Sequence, residues 1–332
     1  MKSLIRKLVE AYGPSGSEEQ IREIIRAEIR SYPDYITVDP LGNLIGVIRK
    51  KSKSGKKIML SAHMDEIGLI VSHVDDKGFA RFQTVGGVSP LTCIGGRVRF
   101  ANGLTGVIGV DIRRDEPDKV PAIGDLFIDT GASSRAECPV KIGDAAGFDR
   151  PMEELGDRLV AKSMDDRIGV AVLIETLRLL KSTPHEVSFV FSVQEEVGLR
   201  GATTAAFGVD AEVGLAVDVT GTGDTPNGRK MDVALGGGAA IKLRDARLLT
   251  DPRVKELLLQ RAQSARIPVQ LEILEGGTTD ASAMQVARGG MAAGCISIPT
   301  RYIHTPSEMV DLRDVQAAVH LLVDVLQKPI DF

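Results

Sequence analysis

The stretch SMDDRIGVAVLIETLRLLKSTPHEVSFVFSVQEEVG, residues 163–198, decides the fold class because it holds a helix and the strand that follows it. Apolar side chains recur at helical spacing across residues 167–180 and predict an amphipathic helix. The run HEVSFVFSV, residues 185–193, is rich in valine and phenylalanine and predicts a strand. Alternation of this kind is typical of an α/β sheet.

The same alternation continues to the end of the chain. Further strands are predicted at EVGLAVDVT, VQLEILE and AAGCISIP, and further helices at residues 252–265, 280–288 and 312–326. This order predicts a mostly parallel or mixed sheet that is flanked by helices on both faces.

The amino-terminal part of the chain has the same character. The capping-box pattern S-E-E-Q that begins at Ser17 predicts a helix over residues 18–31. Strands are predicted at residues 35–39, 43–49 and 57–62. Residues 1–67 and 159–332 are therefore expected to form one α/β domain.

A different pattern separates these two parts. Between residues 68 and 158, short alternating segments such as FARFQTV, GRVRFA and TGVIGV are separated by glycines at roughly eight- to twelve-residue intervals. This pattern is typical of a small β-barrel or sandwich. Residues 68–158 are therefore predicted to be an inserted all-β domain.

Composition argues against several classes of partner. The 41 basic and 45 acidic residues are interspersed and give a net charge of −4, so no nucleic-acid partner is expected. No segment approaches the roughly 18–20 apolar residues of a membrane span, so no membrane partner is expected. Cys93, Cys138 and Cys295 lie far apart, which fits reduced thiols that pack in a cytoplasmic protein.

Polar side chains that can bind metals recur just after predicted strands or just before a helix. Each has an ordinary explanation alone, such as a helix cap or a solvated turn. Their shared position at strand ends favours one site, because function collects there in α/β sheets. The candidates are His63, Asp65, Asp165, Asp166, Glu195, Glu196, Asp218 and His304. The other histidines, His73, His185 and His320, are assigned structural roles.

The candidate residue types predict a metal site. Two histidines and three carboxylates without a nearby cysteine suit zinc, with cobalt or manganese as alternatives. Asp65 lies two residues after His63 and can fix its tautomer by accepting the proton of the other ring nitrogen. Adjacent side chains diverge, so one of Glu195 and Glu196 can bind metal while the other faces bound water.

Six motifs resemble, in order and from end to end, those of the M42 metallo-aminopeptidases. They are AHMDEIG, AKSMDDRIGV, SVQEEVGLRGA, AVDVT, GGTTDA and IPTRYIHTPSE. That family includes glutamyl and leucyl aminopeptidases and the tetrahedral TET peptidases. The resemblance implies a zinc-peptidase core with a PDZ-like insert, two divalent metal ions per subunit, and removal of amino-terminal residues from short peptides.

Carried over residue by residue, the resemblance implies that Asp165 bridges the two ions. The remaining ligands would be His63 with Asp218 at one ion, and Glu196 with His304 at the other. Glu195 resembles the catalytic base and Asp65 the carboxylate that orients His63. GGTTDA matches the family motif well, and its Thr279 and Asp280 can either shape the site or cap the helix that follows.

The resemblance also implies a homo-oligomer in which inserts pair subunits into dimers and dimers assemble into a dodecamer. Many relatives carry a Lys-Pro-Pro-His loop in the insert. This chain has GVIGVDIRRDEPDKVPAIGD, residues 106–125, with no counterpart to that motif. The choice between dimer and dodecamer therefore stays open.

Other activities remain as alternatives. A carboxypeptidase or deacylase could use the same metal core, because the ligands do not select the end of the substrate. A glycoside hydrolase, suggested by the label cellulase M that M42 proteins often carry, needs two carboxyl groups about 5 to 9.5 Å apart and no histidines. The absence of tryptophan also removes common sugar-stacking platforms. A non-catalytic metal-binding protein would have lost a ligand or the base. The preferred first residue cannot be read from the sequence.

Overall fold

The computed structural model describes residues 1–49, 52, 54–111 and 120–332. The helices within these ranges are α1 (Lys2–Val9), α2 (Glu19–Ile29), α3 (Pro90–Cys93), α4 (Met164–Leu179), α5 (Arg200–Val209), α6 (Pro252–Ala265), α7 (Asp280–Gln285) and α8 (Leu312–Gln327). A 3₁₀ turn spans Ile123–Asp125. Within the described ranges, no helix is both long enough and apolar enough to cross a membrane.

The strands before α4 are β1 (Tyr35–Val38), β2 (Leu44–Ile48), β3 (Lys57–His63), β4 (Gly68–Val74), β5 (Ala80–Val85), β6 (Arg97–Phe100), β7 (Thr105–Val110), β8 (Leu126–Asp129), β9 (Ala145–Phe148), β10 (Glu153–Leu155) and β11 (Arg158–Ala161). The strands after it are β12 (Glu186–Ser192), β13 (Val213–Thr220), β14 (Ala239–Arg244), β15 (Val269–Ile273), β16 (Ala292–Arg301) and β17 (Glu308–Asp311).

The larger sheet is mixed, as predicted. Among the described residues it contains 11 strands in the order β1-β2-β12-β3-β13-β16-β17-β11-β10, with β14 beside β16 and β15 beside β14. The central strands β12, β3, β13 and β16 are parallel. Their carboxyl ends therefore meet at one edge, where Ser192 pairs with His63 and Asp218 pairs with Ser297.

Helices cover both faces of this sheet, which confirms the predicted α/β architecture. Along β3, Ile58, Leu60 and Ala62 belong to a core that also contains residues of α1, α2, α4, α6 and α8. Met59 points to the opposite side and packs in a second core with residues of α5 and α7. The alternation follows from the period of two in a strand, because both faces must be covered by apolar side chains.

Strands β4 to β9 form a closed barrel in the order β4-β5-β8-β7-β6-β9. Its interior is a separate apolar cluster that includes Leu69, Phe82, Val98 and Phe148. Strand β10 falls within the residues predicted for the insert, yet it pairs with β11 in the larger sheet. Residues 112–119, within the unusual loop at 106–125, lie outside the described residues.

The predicted capping box at Ser17 is wrong. Helix α2 begins at Glu19, and no side chain caps its first turn. The carboxylate of Glu18 instead accepts the N–H groups of Gly16 at 2.7 Å and Gln194 at 3.2 Å. The segment before α2 is therefore fixed by a tertiary contact with the loop after β12.

A buried ion pair lies between β14 and β15. The Lys242 ammonium donates to the Glu272 carboxylate, and the Thr220 hydroxyl donates to the same oxygen at 2.7 Å. Both charged side chains are fully buried. Because neither charge reaches water, each depends on the other for its stability.

We expect Lys242→Met to lower the free energy of unfolding by about 3–5 kcal/mol, because it leaves the Glu272 carboxylate buried without a cation. The double variant Lys242→Met/Glu272→Leu should recover most of this loss, since neither charge remains. Urea unfolding followed by circular dichroism measures both. Equal destabilisation of the single and double variants would contradict the conclusion that the two buried charges stabilise each other.

Candidate active site

A cleft of about 940 Å³ opens where the parallel strands of the larger sheet end. It brings together six of the residues that the sequence singled out. They are His63, Asp165, Glu195, Glu196, Asp218 and His304. Asp65 and Asp166 are fully buried beside them. Helix α4 begins at Met164 by its hydrogen bonds, but Asp165 and Asp166 have non-helical backbone angles. Regular helix therefore starts at Arg167, where the sequence predicted it.

Two histidines face one carboxylate in the cleft. His63 Nε2 lies 3.0 Å from Asp165 Oδ1, and His304 Nε2 lies 3.2 Å from Asp165 Oδ2. His304 Nε2 also lies 3.3 Å from Glu196 Oε2. The two oxygens of Asp165 thus point toward different imidazoles.

Asp166 has a different environment from Asp165. Oδ2 of Asp166 accepts the backbone N–H of His63 at 3.1 Å, and Oδ1 accepts the N–H of Gly169 at 3.1 Å. Ligand atoms of His63, Asp166 and Asp218 also lie within 4.8 Å of one another. Because both Asp166 oxygens accept backbone N–H groups, this side chain holds the carboxyl end of β3 against the start of α4.

The donor set fits a divalent cation. Oε1 of Glu196 is buried and has no hydrogen-bond partner in the part of the chain that the structure describes. A buried carboxylate oxygen without a donor is costly unless a cation or a proton meets it. Imidazole nitrogens and carboxylate oxygens without a thiolate suit zinc, cobalt or manganese.

Opposing electrostatic effects meet in the cleft. Burial raises the pKa of Glu195 and Asp218 well above the usual values, although His63 opposes the rise. Burial alone would lower the pKa of His63, but Glu195 and Asp165 hold it well above its usual range. Burial likewise opposes a charged His304, yet Asp165 and Glu196 raise its pKa to about 12. The carboxylates of the cleft therefore stabilise positive charge on the two imidazoles.

Asp65 positions the segment of Glu195 and Glu196 as well as His63. Oδ1 of Asp65 accepts the N–H of Glu195 at 3.0 Å and lies 3.4 Å from His63 Nδ1. Oδ2 accepts the N–H of Glu196 at 3.3 Å and the Ser15 hydroxyl at 2.6 Å. One buried carboxylate therefore fixes three residues of the cleft.

Glu308 holds backbone N–H groups of the cleft in the same way as Asp65, and it was not among the candidates from the sequence. Oε2 of Glu308 accepts the N–H of Asp165 at 2.9 Å, and Oε1 accepts the N–H of His304 at 2.7 Å. Glu308 is buried, and it is the last letter of the motif IPTRYIHTPSE. The residue belongs to the motif, but its spacing from the other candidates along the chain did not indicate that it would contact Asp165.

The structure separates the roles of Thr279 and Asp280. Thr279 lines the cleft and does not cap α7, so the capping interpretation of this residue is wrong. Asp280 Oδ2 accepts hydroxyl groups of Ser61 and Ser192, each at 2.6 Å. Asp280 therefore connects α7 to β3 and β12, next to the strand ends that carry the site.

The barrel reaches the site through two glycines. A Cβ atom at Gly87 would lie 2.6 Å from His304 Nδ1, and one at Gly86, where φ is +78°, would lie 3.1 Å from Glu196 Oε2. A side chain at Gly87 would displace the imidazole, because real Cβ atoms essentially never approach so closely. The barrel therefore forms part of the wall around His304.

The other histidines and the cysteines lie elsewhere. His185 is buried, and its Nδ1 accepts the N–H of Lys56 at 2.9 Å, which is a structural contact. His73 and His320 are exposed. Cys93, Cys138 and Cys295 are free thiols, and none of them lines the cleft.

The chain is similar to known aminopeptidases over nearly its whole length. Lysyl aminopeptidase of Pyrococcus furiosus is 36% identical, covering 99% of this chain and 98% of that protein. Aminopeptidase APDkam598 of the archaeon Desulfurococcus kamchatkensis superposes with a TM-score of 0.94 at 44% identity, covering 98% of this chain and 94% of its own.

A third relative is known for its assembly. The TET1 peptidase of Pyrococcus horikoshii, which can form a tetrahedron or a large octahedral shell, superposes with a TM-score of 0.89 at 32% identity, covering 98% of this chain and 99% of its own. The sequence model of the M42 glutamyl aminopeptidase family matches residues 42–321. The chain therefore belongs to the M42 glutamyl aminopeptidase family.

Proposed function

We propose that this chain is a co-catalytic two-metal aminopeptidase that removes amino-terminal residues from short peptides. The observation that carries the proposal is the Asp165 carboxylate, whose two oxygens lie 3.0 and 3.2 Å from two different imidazoles. The relatives that are named aminopeptidases support the same reaction. A carboxypeptidase or deacylase on the same core is the alternative.

The proposed ligands divide into two sets that share Asp165. His63 and Asp218 would hold one ion, and Glu196 and His304 the other. Zinc is favoured, with cobalt or manganese as alternatives, because all the donors are nitrogen or oxygen. When bound, such ions polarise a carbonyl group and lower the pKa of bound water toward neutrality.

Glu195 is the proposed general base. Its Oε2 lies 3.9 Å from His63 Nε2 at the cleft, and its backbone is held by Asp65. Burial raises its pKa, which makes the carboxylate a better proton acceptor. In this role Glu195 takes a proton from the attacking water and returns it to the leaving amine, a contribution of roughly 10²- to 10⁴-fold.

Assembly and domain boundaries belong to the proposal. Residues 68–158 would form a PDZ-like dimerisation domain inserted between residues 1–67 and 159–332 of a zinc-peptidase core. Homodimers would assemble into a dodecamer, and the shells formed by the TET1 peptidase support a large assembly. That the protein is cytoplasmic stays a prediction, which rests on the three cysteines being reduced thiols.

The first test concerns the base. We expect Glu195→Gln to keep both metal ions and lose activity by roughly 10²- to 10⁴-fold, because an amide cannot accept the proton. Metal content by mass spectrometry and turnover of an aminoacyl amide are measured together. Glu256→Gln, on the exposed side of α6, is the matched control. Metal loss in proportion to activity would reject the assignment.

The second test concerns the bridging ligand. Asp165→Ala should empty both metal positions together, because a shared ligand serves two ions. Metal titration by calorimetry reports the number of ions bound to each variant. Asp166→Ala is the comparison, and loss of both ions from that variant alone would move the bridging role to Asp166.

The third test concerns the end of the peptide. In the proposed reaction one ion would hold the free α-amino group of the substrate. Acetylating that group in a good substrate should therefore abolish turnover, while amidating the carboxyl end should change turnover little. Chromatography of the products measures both. Comparable cleavage of blocked and free peptides would favour the deacylase or carboxypeptidase alternative.

A further inference from the structure

The cleft extends well beyond the proposed metal ligands, and its outer wall is basic. Among the described residues that line it, the carboxylates all belong to the cluster around Asp165. The remaining charged side chains other than His63 and His304 are cationic. They are Arg229, Lys242, Arg247 and Arg301. The charge of the wall is therefore opposite to that of the cluster.

Two of these four cations are neutralised within the protein. Lys242 is paired with Glu272. Arg301 makes a two-point contact with Asp224, with Nε 3.0 Å from Oδ1 and Nη2 2.6 Å from Oδ2. Arg229 and Arg247 are exposed and form no ion pair with any described residue. Their positive charge is available to a ligand in the cleft.

The backbones of both arginines are held in place. Asp245 Oδ1 accepts the N–H groups of Arg247 at 2.9 Å and Leu248 at 2.7 Å, which fixes the loop after β14. The turn before Arg229 is closed by the N–H of Gly228, which donates to Thr225 O at 2.9 Å. Since both loops are anchored, a ligand need order only the arginine side chains.

Neutral groups line the same cleft. Ala246 and Leu274 are apolar, and Thr225 carries a hydroxyl group, whereas the hydroxyl group of Thr278 already donates to Ser282 Oγ at 2.9 Å. Apolar surface beside guanidinium and hydroxyl donors suits a carboxylate on a short aliphatic arm, because the donors bind the charge and the apolar side chains cover the methylenes.

We propose that Arg229 and Arg247 bind a carboxylate of the substrate, so that the cleft selects acidic peptides. This inference rests on the proposed peptide hydrolysis and names its substrate class. Family membership does not settle the point, since the family is named for a glutamyl enzyme and the Pyrococcus furiosus relative for a lysyl one. The carboxylate can come from the side chain of the first residue or from that of the second.

Equilibrium binding to the metal-loaded Glu195→Gln protein tests the inference without depending on turnover. Calorimetry compares Glu-Ala-Ala-amide with Gln-Ala-Ala-amide, and Ala-Glu-Ala-amide with Ala-Gln-Ala-amide. At least one acidic peptide should bind about tenfold more tightly than its neutral partner at low salt. The preference should shrink in high salt, because exposed charges are screened. The pair that shows it identifies the source of the carboxylate.

Arginine variants decide which residues are responsible. Adding Arg229→Gln or Arg247→Gln should reduce the preference, and adding both should abolish it. Lys230→Gln is the matched control, because Lys230 is exposed beside Arg229 and does not line the cleft. Equal affinity for every acidic and neutral pair, no detectable binding, or a preference that survives both substitutions would overturn the inference.

The outcome is independent of the proposed reaction. Turnover of the same peptides is measured with Glu195 intact. Acidic preference in binding without turnover would leave the inference standing and reject the aminopeptidase proposal. Turnover of all the peptides without a binding preference for the acidic ones would overturn the inference and leave the aminopeptidase proposal standing.

Discussion

The concentration of buried carboxylates at the ends of the parallel strands constrains the rest of this structure. Moving each charge out of water costs several kcal/mol, and the facing cations among the described residues of the cluster are His63 and His304. The raised pKa values of Glu195 and Asp218 express that cost. Divalent cations would offset this cost. The buried carboxylates that destabilise the fold are therefore also the groups that could hold such cations at the strand ends.

The carboxylates of the region fall into two groups according to what fills their oxygens. Asp65, Asp166 and Glu308 accept backbone N–H groups of residues in the cleft and thereby position them. Glu196 instead keeps a buried oxygen without a donor among the described residues. Two oxygens that both accept backbone N–H groups thus mark a positioning carboxylate. An oxygen without a donor does not by itself mark a ligand, since Asp280 Oδ1 also has none among the described residues. Residue type alone does not make this distinction, because all of these groups are acids.

Regular periodicity allowed much of the fold to be predicted. The helix predicted at residues 252–265 has those bounds, and the glycine-rich segment forms a barrel. Helix α5 was missed because its sequence RGATTAAFGV is short and consists mostly of small residues, whose alanines pack against β12 and α7. The cap predicted at Ser17 is not formed, and the Gln20 side chain that would complete the box donates to the Ala101 carbonyl oxygen at 3.1 Å.

The sequence by itself determined the α/β class and the set of candidate ligands, because strand and helix periods and the residues at strand ends are local properties. Only the tertiary structure decided which contacts residues adjacent in sequence make. Asp165 and Asp166 are identical in type and adjacent in sequence, yet one faces two imidazoles and the other holds backbone N–H groups. The partners of Asp165, such as Glu308, come from distant segments, and only packing sets their distances.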